Sequence, residues 1–142
     1  MGSDAAQVPL ESRVLIRSDA DIVTARQQGR SLAQQLGFVG SDLTVIATAI
    51  SELGRNILMY AGSGEIVLRV AQTGSRRGIV VVAQDQGPGI PDIPLAMQDA
   101  YSTSQSLGLG LPGTRRLMDD FAIDSVVGRG TTVTVKKWLT RP

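Results

Sequence analysis

The residues available for chemistry in this 142-residue chain include neither histidine nor cysteine. A Ser-His-Asp triad, a thiolate nucleophile and metal sites built on imidazole or thiolate are therefore excluded. Any reaction must use carboxylates, amides, hydroxyls, Arg and Lys, or a bound cofactor. Glu52 and Asn56 stand four residues apart in a helical pattern, so both side chains project from the same helix face. Two polar residues on a solvated helix face would give the same pattern.

Three glycine-containing segments could bring backbone close to a ligand. Residues 85–90 (DQGPGI) follow an apolar strand pattern, and an Asp at that position can accept a hydrogen bond from an amino group beside a flat ligand. Residues 108–113 (GLGLPG) lead into a helical pattern, where backbone N–H groups can cradle phosphates. That segment is neither a Walker A nor a Rossmann sequence. Residues 128–131 (GRGT) join two strand patterns, and a simple hairpin turn would explain them.

Hydrophobic periodicity predicts the elements that position these segments. The first half contains a strand, two helices and an antiparallel hairpin, at 13–17, 19–36, 41–60, 65–72 and 78–84. Gly37 ends the first helix, and Ser41 or Asp42 caps the second. Residues 85–113 form a long loop with one short helix, followed by a helix and two strands, at 94–101, 114–121, 123–127 and 131–138.

This order predicts an α+β fold, a two-layer α/β sandwich in which helices cover one face of a mixed β-sheet. A hydrophobic content of 42% supports one core, which we place in a single domain over residues 10–142. Residues 1–9 (MGSDAAQVP) are expected to be disordered or tag-like. No apolar run approaches the roughly 20 residues that cross a bilayer, and no signal peptide is recognisable, so we expect a cytoplasmic protein without a membrane partner. A net charge of +1 without a basic cluster argues against nucleic-acid binding.

Taken together, the Glu52/Asn56 pair and the three glycine segments resemble the N box, G1 box, G2 box and final G-x-G-T of the GHKL (Bergerat) ATP-binding fold. The resemblance covers residues 13–138. The gyrase, chaperone and histidine-kinase branches are disfavoured, because the sequence contains no histidine and we expect none of their appended domains. Residues 50–57 (ISELGRNI), 85–92 (DQGPGIPD) and 108–119 (GLGLPGTRRLMD) are similar to the RsbT-like serine/threonine kinases of stressosomes, which are related to RsbW anti-sigma factors.

The resemblance implies ATP and Mg²⁺ as cofactors and gives individual residues a role. Asn56 would coordinate Mg²⁺, and Glu52 would be the general base for a substrate hydroxyl. Asp85 would accept from the adenine amino group, with help from the Thr131 hydroxyl. The remaining ATP-binding residues would be Gly87, Gly89, Ile90, Gly108, Leu109 and Gly110. A phosphate or partner contact is the expectation for Arg55 and Arg115, with a surface salt bridge as the alternative for both.

The function implied by the resemblance is ATP-dependent phosphorylation of a serine or threonine on STAS-domain antagonist or scaffold proteins of the RsbS/RsbR type. The protein would then act as a partner-switching regulator of bacterial stress signalling, sequestered in a stressosome. When released, it would bind an output protein such as a phosphatase or cyclase. The alternative is an anti-sigma-like or activator module whose ATP pocket only gates partner binding. The intact pair of Glu52 and Asn56 favours the kinase, because a pure binding module has no physical need for a base.

Overall fold

The computed structural model describes residues 11–98 and 110–139. Residues 1–9, predicted to be disordered or tag-like, lie outside the described residues. The elements follow in the order β1 (Glu11–Ile16), α1 (Asp19–Leu36), α2 (Ser41–Tyr60), β2 (Gly64–Thr73), β3 (Arg76–Asp85), α3 (Ile93–Ala96), α4 (Gly110–Leu117), β4 (Asp120–Val126) and β5 (Gly130–Trp138). The strands form one five-stranded sheet in the order β1-β2-β3-β5-β4. The predicted α+β class is confirmed.

Neighbouring strands in this sheet are antiparallel throughout, so the prediction of a mixed sheet was wrong. Short turns join β2 to β3 and β4 to β5, and such turns connect only antiparallel neighbours. β1 and β2 are separated by two helices with a short connection between them, which pack against each other as a helical hairpin. The chain reverses at each of the three connections, β1 to α1, α1 to α2 and α2 to β2, so β2 runs in the direction opposite to β1.

The core lies between one face of the sheet and the helices α1 and α2. Buried residues recur at helical spacing along both helices, and alternate strand residues face them: Ile22, Leu32, Leu36, Ile46, Ile50, Leu53 and Ile57 on the helices, and Ile16, Ile66, Leu68, Ile79, Val81, Val133 and Val135 on the sheet. Gly29 lets the two helices approach, because an added Cβ there would lie 2.1 Å from Ile50 Cδ1. In the described part of the chain, no helix is long and apolar enough to cross a membrane.

The opposite face of the sheet carries a small buried cluster of Val67, Val80 and Val82 under charged side chains. Arg13 pairs there with Glu65, with 3.1 Å between Nη1 and Oε2. The hydrogen bond and charge of Glu65, and then the charge of nearby Glu11, raise the pKa of Arg13. The ion pair therefore favours the charged form of this guanidinium.

The boundaries of the helices near the loops differ from the sequence prediction. α2 is preceded by Gly40 with φ 62°, and no side chain caps it, so the predicted cap by Ser41 or Asp42 was wrong. α4 begins at Gly110 rather than at 114 and ends at Leu117. Residues predicted to end this helix instead pair with β5, as Asp120 with Lys136, because strand pairing outweighs the local helical pattern. The short helix covers Ile93–Ala96, and residues 99–101 of its predicted range lie outside the described residues.

Candidate functional site

A cavity of about 150 Å³ opens between α2, the ends of β3 and β5, and the segment that follows β3. Its walls are largely apolar and include Leu53, Ala83, Leu111 and Val133. Six residues that the sequence analysis singled out also line this cavity: Asn56, Asp85, Gly89, Ile90, Gly110 and Thr131. An apolar cleft with a few convergent polar groups is the usual form of a small-molecule site.

The polar end of the cavity is formed by Asp85 and Thr131, which are direct cross-strand partners of β3 and β5. Side chains in such a pair stand beside each other on one face of the sheet. Asp85 Oδ1 accepts the N–H of Gly87 at 2.9 Å. Its second carboxylate oxygen has no hydrogen-bond partner among the described residues and can accept from a ligand.

The segment after β3 is fixed to the β4–β5 turn by backbone contacts. The N–H of Gly128 donates to the carbonyl of Pro88 at 2.8 Å. Gly89 has φ 80°, and a Cβ there would lie 2.5 Å from the carbonyl oxygen of Val126. At Gly87 a Cβ would lie 2.6 Å from the Cβ of Ala61 at the end of α2. Both glycines are therefore required by close packing within the protein, whereas only Gly89 also lines the cavity.

Ser125 is part of this arrangement, although it belongs to none of the motifs found in the sequence. Its Oγ accepts the N–H of Ile90 at 2.7 Å and lies 2.8 Å from Thr131 Oγ1. The alternation of residues along β4 could have indicated Ser125, because it places this residue on the inner face of the sheet, where Ser125 pairs with Thr131. Only the pairing of β4 with β5 makes that placement visible.

Glu52 and Asn56 lie one turn apart on α2, beside the start of α4. Glu52 is only 6% exposed, so it does not lie on a solvated helix face. Its Oε1 accepts the N–H of Gly110 at 3.3 Å, because the first turn of α4 covers this part of α2. Its other oxygen, Oε2, lies 3.5 Å from Arg55 Nη1.

Asn56 brings an unsatisfied polar atom to the cavity wall. Its Nδ2 is buried and has no hydrogen-bond partner in the part of the chain that the structure describes. Buried polar groups are almost always paired, so a lone one indicates a bound group that completes it. Rotation of the amide by 180° would present its oxygen at the same place, and a neutral oxygen is a suitable ligand for a hard cation such as Mg²⁺. The residues present thus fit a nucleotide phosphate or its metal ion.

Sequence comparison agrees with this geometry. Residues 17–137 match the family described as Histidine kinase-like ATPase domain. The chain is 51% identical to the Serine/threonine-protein kinase RsbT of Bacillus subtilis over 129 residues, which cover 91% of this chain and 97% of RsbT. This chain belongs to the histidine kinase-like ATPase family. The predicted resemblance to GHKL proteins and to RsbT-like kinases is confirmed.

Other proteins are similar to this chain in sequence or in fold. The Anti-sigma F factor of Bacillus licheniformis is 31% identical over 131 residues, which cover 83% of this chain and 90% of that protein. The structure of the RsbU and RsbW domains of Rv1364c from Mycobacterium tuberculosis superposes with a TM-score of 0.60 at 25% identity, over 93% of this chain and 32% of that one. The structure of the SiaB-SiaC complex from Pseudomonas aeruginosa superposes with a TM-score of 0.54 at 10% identity, over 96% of this chain and 94% of that one. This likeness shows the fold alone.

The remaining predicted residues take different places in this family fold. Arg55 makes the ion pair with Glu52 described above, and its side chain is 43% exposed. Arg115 is exposed in the last turn of α4, and not in the first turn after the glycines as predicted, because the helix begins four residues earlier. Gly108 and Leu109 lie outside the described residues.

Proposed function

We propose that this protein is an ATP-dependent protein serine/threonine kinase that phosphorylates a hydroxyl side chain on a STAS-domain antagonist or scaffold protein. The observation that carries the proposal is the buried carboxylate of Glu52 one helical turn from Asn56. Asn56 lines a largely apolar cavity, and its Nδ2 has no hydrogen-bond partner among the described residues. The 51% identity to RsbT, a serine/threonine-protein kinase, supports the same reaction.

The nucleotide would be held by residues at both ends of the cavity. Asp85 and Thr131 would accept hydrogen bonds from the adenine amino group, and the apolar walls would contact the ring. Asn56 would hold the phosphates through Mg²⁺, which when bound neutralises charge that develops on the transferred phosphoryl group. Backbone N–H groups near Gly110, at the start of α4, would face the same phosphates.

Glu52 would accept the proton of the substrate hydroxyl. The chain has no histidine, so a carboxylate must serve as base, and Glu52 is the acidic residue beside Asn56. The N–H of Gly110 and the guanidinium of Arg55 hold its two oxygens in position before the substrate arrives. Proton transfer then requires one of these oxygens to exchange its present partner for the substrate hydroxyl.

The identity of the partner belongs to the same proposal. RsbT-like similarity favours a small STAS-domain protein of the RsbS/RsbR type, with release from a stressosome followed by binding to a phosphatase or cyclase. The proposal includes a cytoplasmic location, where the protein would meet these signalling partners.

A second function, an anti-sigma-like or activator module gated by nucleotide, is favoured by the two contacts of Glu52. Glu52 is closed in by Gly110 and Arg55 and is almost fully buried. A carboxylate held in this way could link nucleotide binding to the position of α4 without transferring phosphate. The 31% identity to an Anti-sigma F factor is compatible with that role.

Phosphotransfer from γ-labelled ATP with Mg²⁺ to STAS-domain proteins from the same genome tests the proposal. We expect acid-stable label on one of these proteins, as for phosphoserine or phosphothreonine. Replacement of Glu52 with Gln should abolish most of this transfer. Glu11→Gln is its matched control, because it removes an exposed carboxylate on β1 and should leave transfer unchanged. Nucleotide binding and a stable STAS complex without any label would contradict the kinase and favour the gated module.

A further inference from the structure

The hydroxyl of Ser125 is the centre of three hydrogen bonds at the polar end of the cavity. It accepts the N–H of Ile90 at 2.7 Å, lies 3.3 Å from the carbonyl oxygen of Gly130, and lies 2.8 Å from Thr131 Oγ1. Ser125 does not itself line the cavity, whereas Ile90 and Thr131 do. It therefore acts on a ligand only through these two residues.

Counting protons assigns a direction to the contact between Ser125 and Thr131. A serine hydroxyl has one proton to donate and two lone pairs that accept. The Gly130 carbonyl can only accept, so a bond to it uses the proton of Ser125. The N–H of Ile90 occupies one lone pair, and the second is left for the hydroxyl proton of Thr131. When each contact is a separate two-centre hydrogen bond, this assignment satisfies all three together.

As a consequence, the hydroxyl proton of Thr131 points towards Ser125 and away from the cavity. Thr131 then presents lone pairs to a ligand, beside the carboxylate of its cross-strand partner Asp85. Two adjacent acceptors match an exocyclic amino group, which has two N–H donors. They disfavour an exocyclic carbonyl oxygen at the same position, because an acceptor placed against other acceptors leaves buried polar groups unpaired.

Resting on the proposed nucleotide site, we infer that Ser125 is a positioning residue that determines base specificity. Because Ser125 accepts a hydrogen bond from the Thr131 hydroxyl, the site selects a 6-amino purine over a 6-oxo purine. Without the Ser125 hydroxyl, the Thr131 proton loses its acceptor and can turn into the cavity, where it would donate to a 6-oxo group.

Equilibrium binding of ADP and IDP with Mg²⁺, measured by calorimetry, tests this inference without phosphotransfer. The two nucleotides differ at position 6 of the base and in the protonation of the neighbouring ring nitrogen. We expect Ser125→Ala to lower the preference for ADP over IDP by about fivefold to tenfold, the effect of one hydrogen bond. Any loosening of the Ile90 segment affects both nucleotides alike and cancels in this ratio.

Three variants complete the experiment. Ser125→Thr keeps the hydroxyl and should restore the wild-type ratio. Thr134→Val removes a hydroxyl of β5 on the opposite face of the sheet and should not change it. Ser125→Cys, nearly isosteric but a weak acceptor, should lower the ratio and replaces the alanine variant if that variant does not fold.

The outcomes separate this inference from the proposed function. If wild-type protein binds ADP but the ratio is unchanged in the Ser125 variants, or both nucleotides weaken equally, the specificity role is wrong and the proposed function stands. If wild-type protein binds neither nucleotide, both are overturned. A ratio that falls in Ser125→Ala or Ser125→Cys and is restored in Ser125→Thr supports the inference.

Discussion

Single side chains on α2 illustrate how much a buried polar group depends on its neighbours. Glu52 is buried yet satisfied, because Gly110 and Arg55 each contact one carboxylate oxygen. Asn56, one turn further along, has an amide nitrogen with no partner among the described residues. Leaving a buried donor unpaired costs about 1–3 kcal/mol, so a ligand that pairs it gains that free energy on binding. The two residues should therefore respond differently to substitution.

Replacing Glu52 with Gln removes the proposed base and keeps the size of the side chain. We expect phosphotransfer to a STAS-domain substrate to fall at least about a hundredfold, the usual effect of losing a general base. ADP affinity should change by less than about threefold, because Glu52 does not line the cavity. Initial rates of label transfer and calorimetry give the two values. Transfer at the wild-type rate would show that Glu52 is not the base.

Replacing Asn56 with Ala should separate stability from ligand binding. Affinity for ADP with Mg²⁺ should fall about tenfold or more, and the gain in affinity that Mg²⁺ provides should disappear. The nucleotide-free protein should lose less than about 1 kcal/mol of unfolding free energy, because no hydrogen bond to Asn56 is broken among the described residues. Calorimetry with and without Mg²⁺, and urea denaturation, measure these effects. A Mg²⁺ dependence that survives in the variant would contradict the proposed role.

The connections between elements, rather than the elements alone, determine the shape of the cavity. The segment after β3 is attached to the β4–β5 turn through Pro88 and Gly128, and Gly89 packs against Val126. Gly89 has a left-handed backbone and also lies close to the backbone of Val126. Only glycine satisfies both conditions without strain. Small changes in this segment should therefore affect both stability and nucleotide binding.

Gly89→Ala and Gly74→Ala form a matched pair that tests this connection. Both glycines have positive φ, 80° and 61°, but a Cβ at Gly74 would have no atom within 4 Å. We expect Gly74→Ala to cost about 1 kcal/mol from backbone strain alone. Gly89→Ala should cost about 2–4 kcal/mol, because the Val126 carbonyl must also move. Urea denaturation gives both values.

Nucleotide affinity provides the second measurement on the same two variants. Only Gly89→Ala should weaken ADP binding, since Gly89 lines the cavity and Gly74 lies in the distant β2–β3 turn. Equal losses of stability in the two variants, with unchanged ADP binding in both, would show that the segment after β3 is not held as described.

The whole molecule responds to a ligand because its cavity is built from most of its elements. Five of the nine elements in the described part of the chain contribute residues to the cavity walls: α2, β3, α3, α4 and β5. A ligand that binds there contacts parts of the chain far apart in sequence, and it binds only when they are assembled. Binding to the folded state alone stabilises that state by mass action.

Saturation with ADP and Mg²⁺ should therefore raise the melting temperature. At a free concentration one hundred times the dissociation constant, the gain is about 2.7 kcal/mol, which corresponds to roughly 8 °C for a domain of this size. Asp85→Ala should lose most of this increase, and UDP should not produce it, because its base lacks the purine ring. Differential scanning calorimetry measures the shift. An equal shift with UDP would place the binding elsewhere.

Local patterns in the sequence predicted most of the elements. Helix α1 spans Asp19–Leu36 as predicted, since its apolar spacing and the terminal Gly37 act within a few residues of the chain. The motif residues Asn56, Asp85, Gly89, Ile90, Gly110 and Thr131 were likewise named from sequence, and the fold brings them to one cavity.

Long-range contacts decided what the sequence did not predict. The antiparallel pairing of β1 with β2 follows from how α1 and α2 pack, and the end of α4 is set by pairing of Asp120 with Lys136. The role of Ser125 depends on which strand lies beside β4. A residue's own type and near neighbours fix its helix or strand preference. Its burial and its hydrogen-bond partners depend on segments distant in sequence, and only the folded chain brings those segments together.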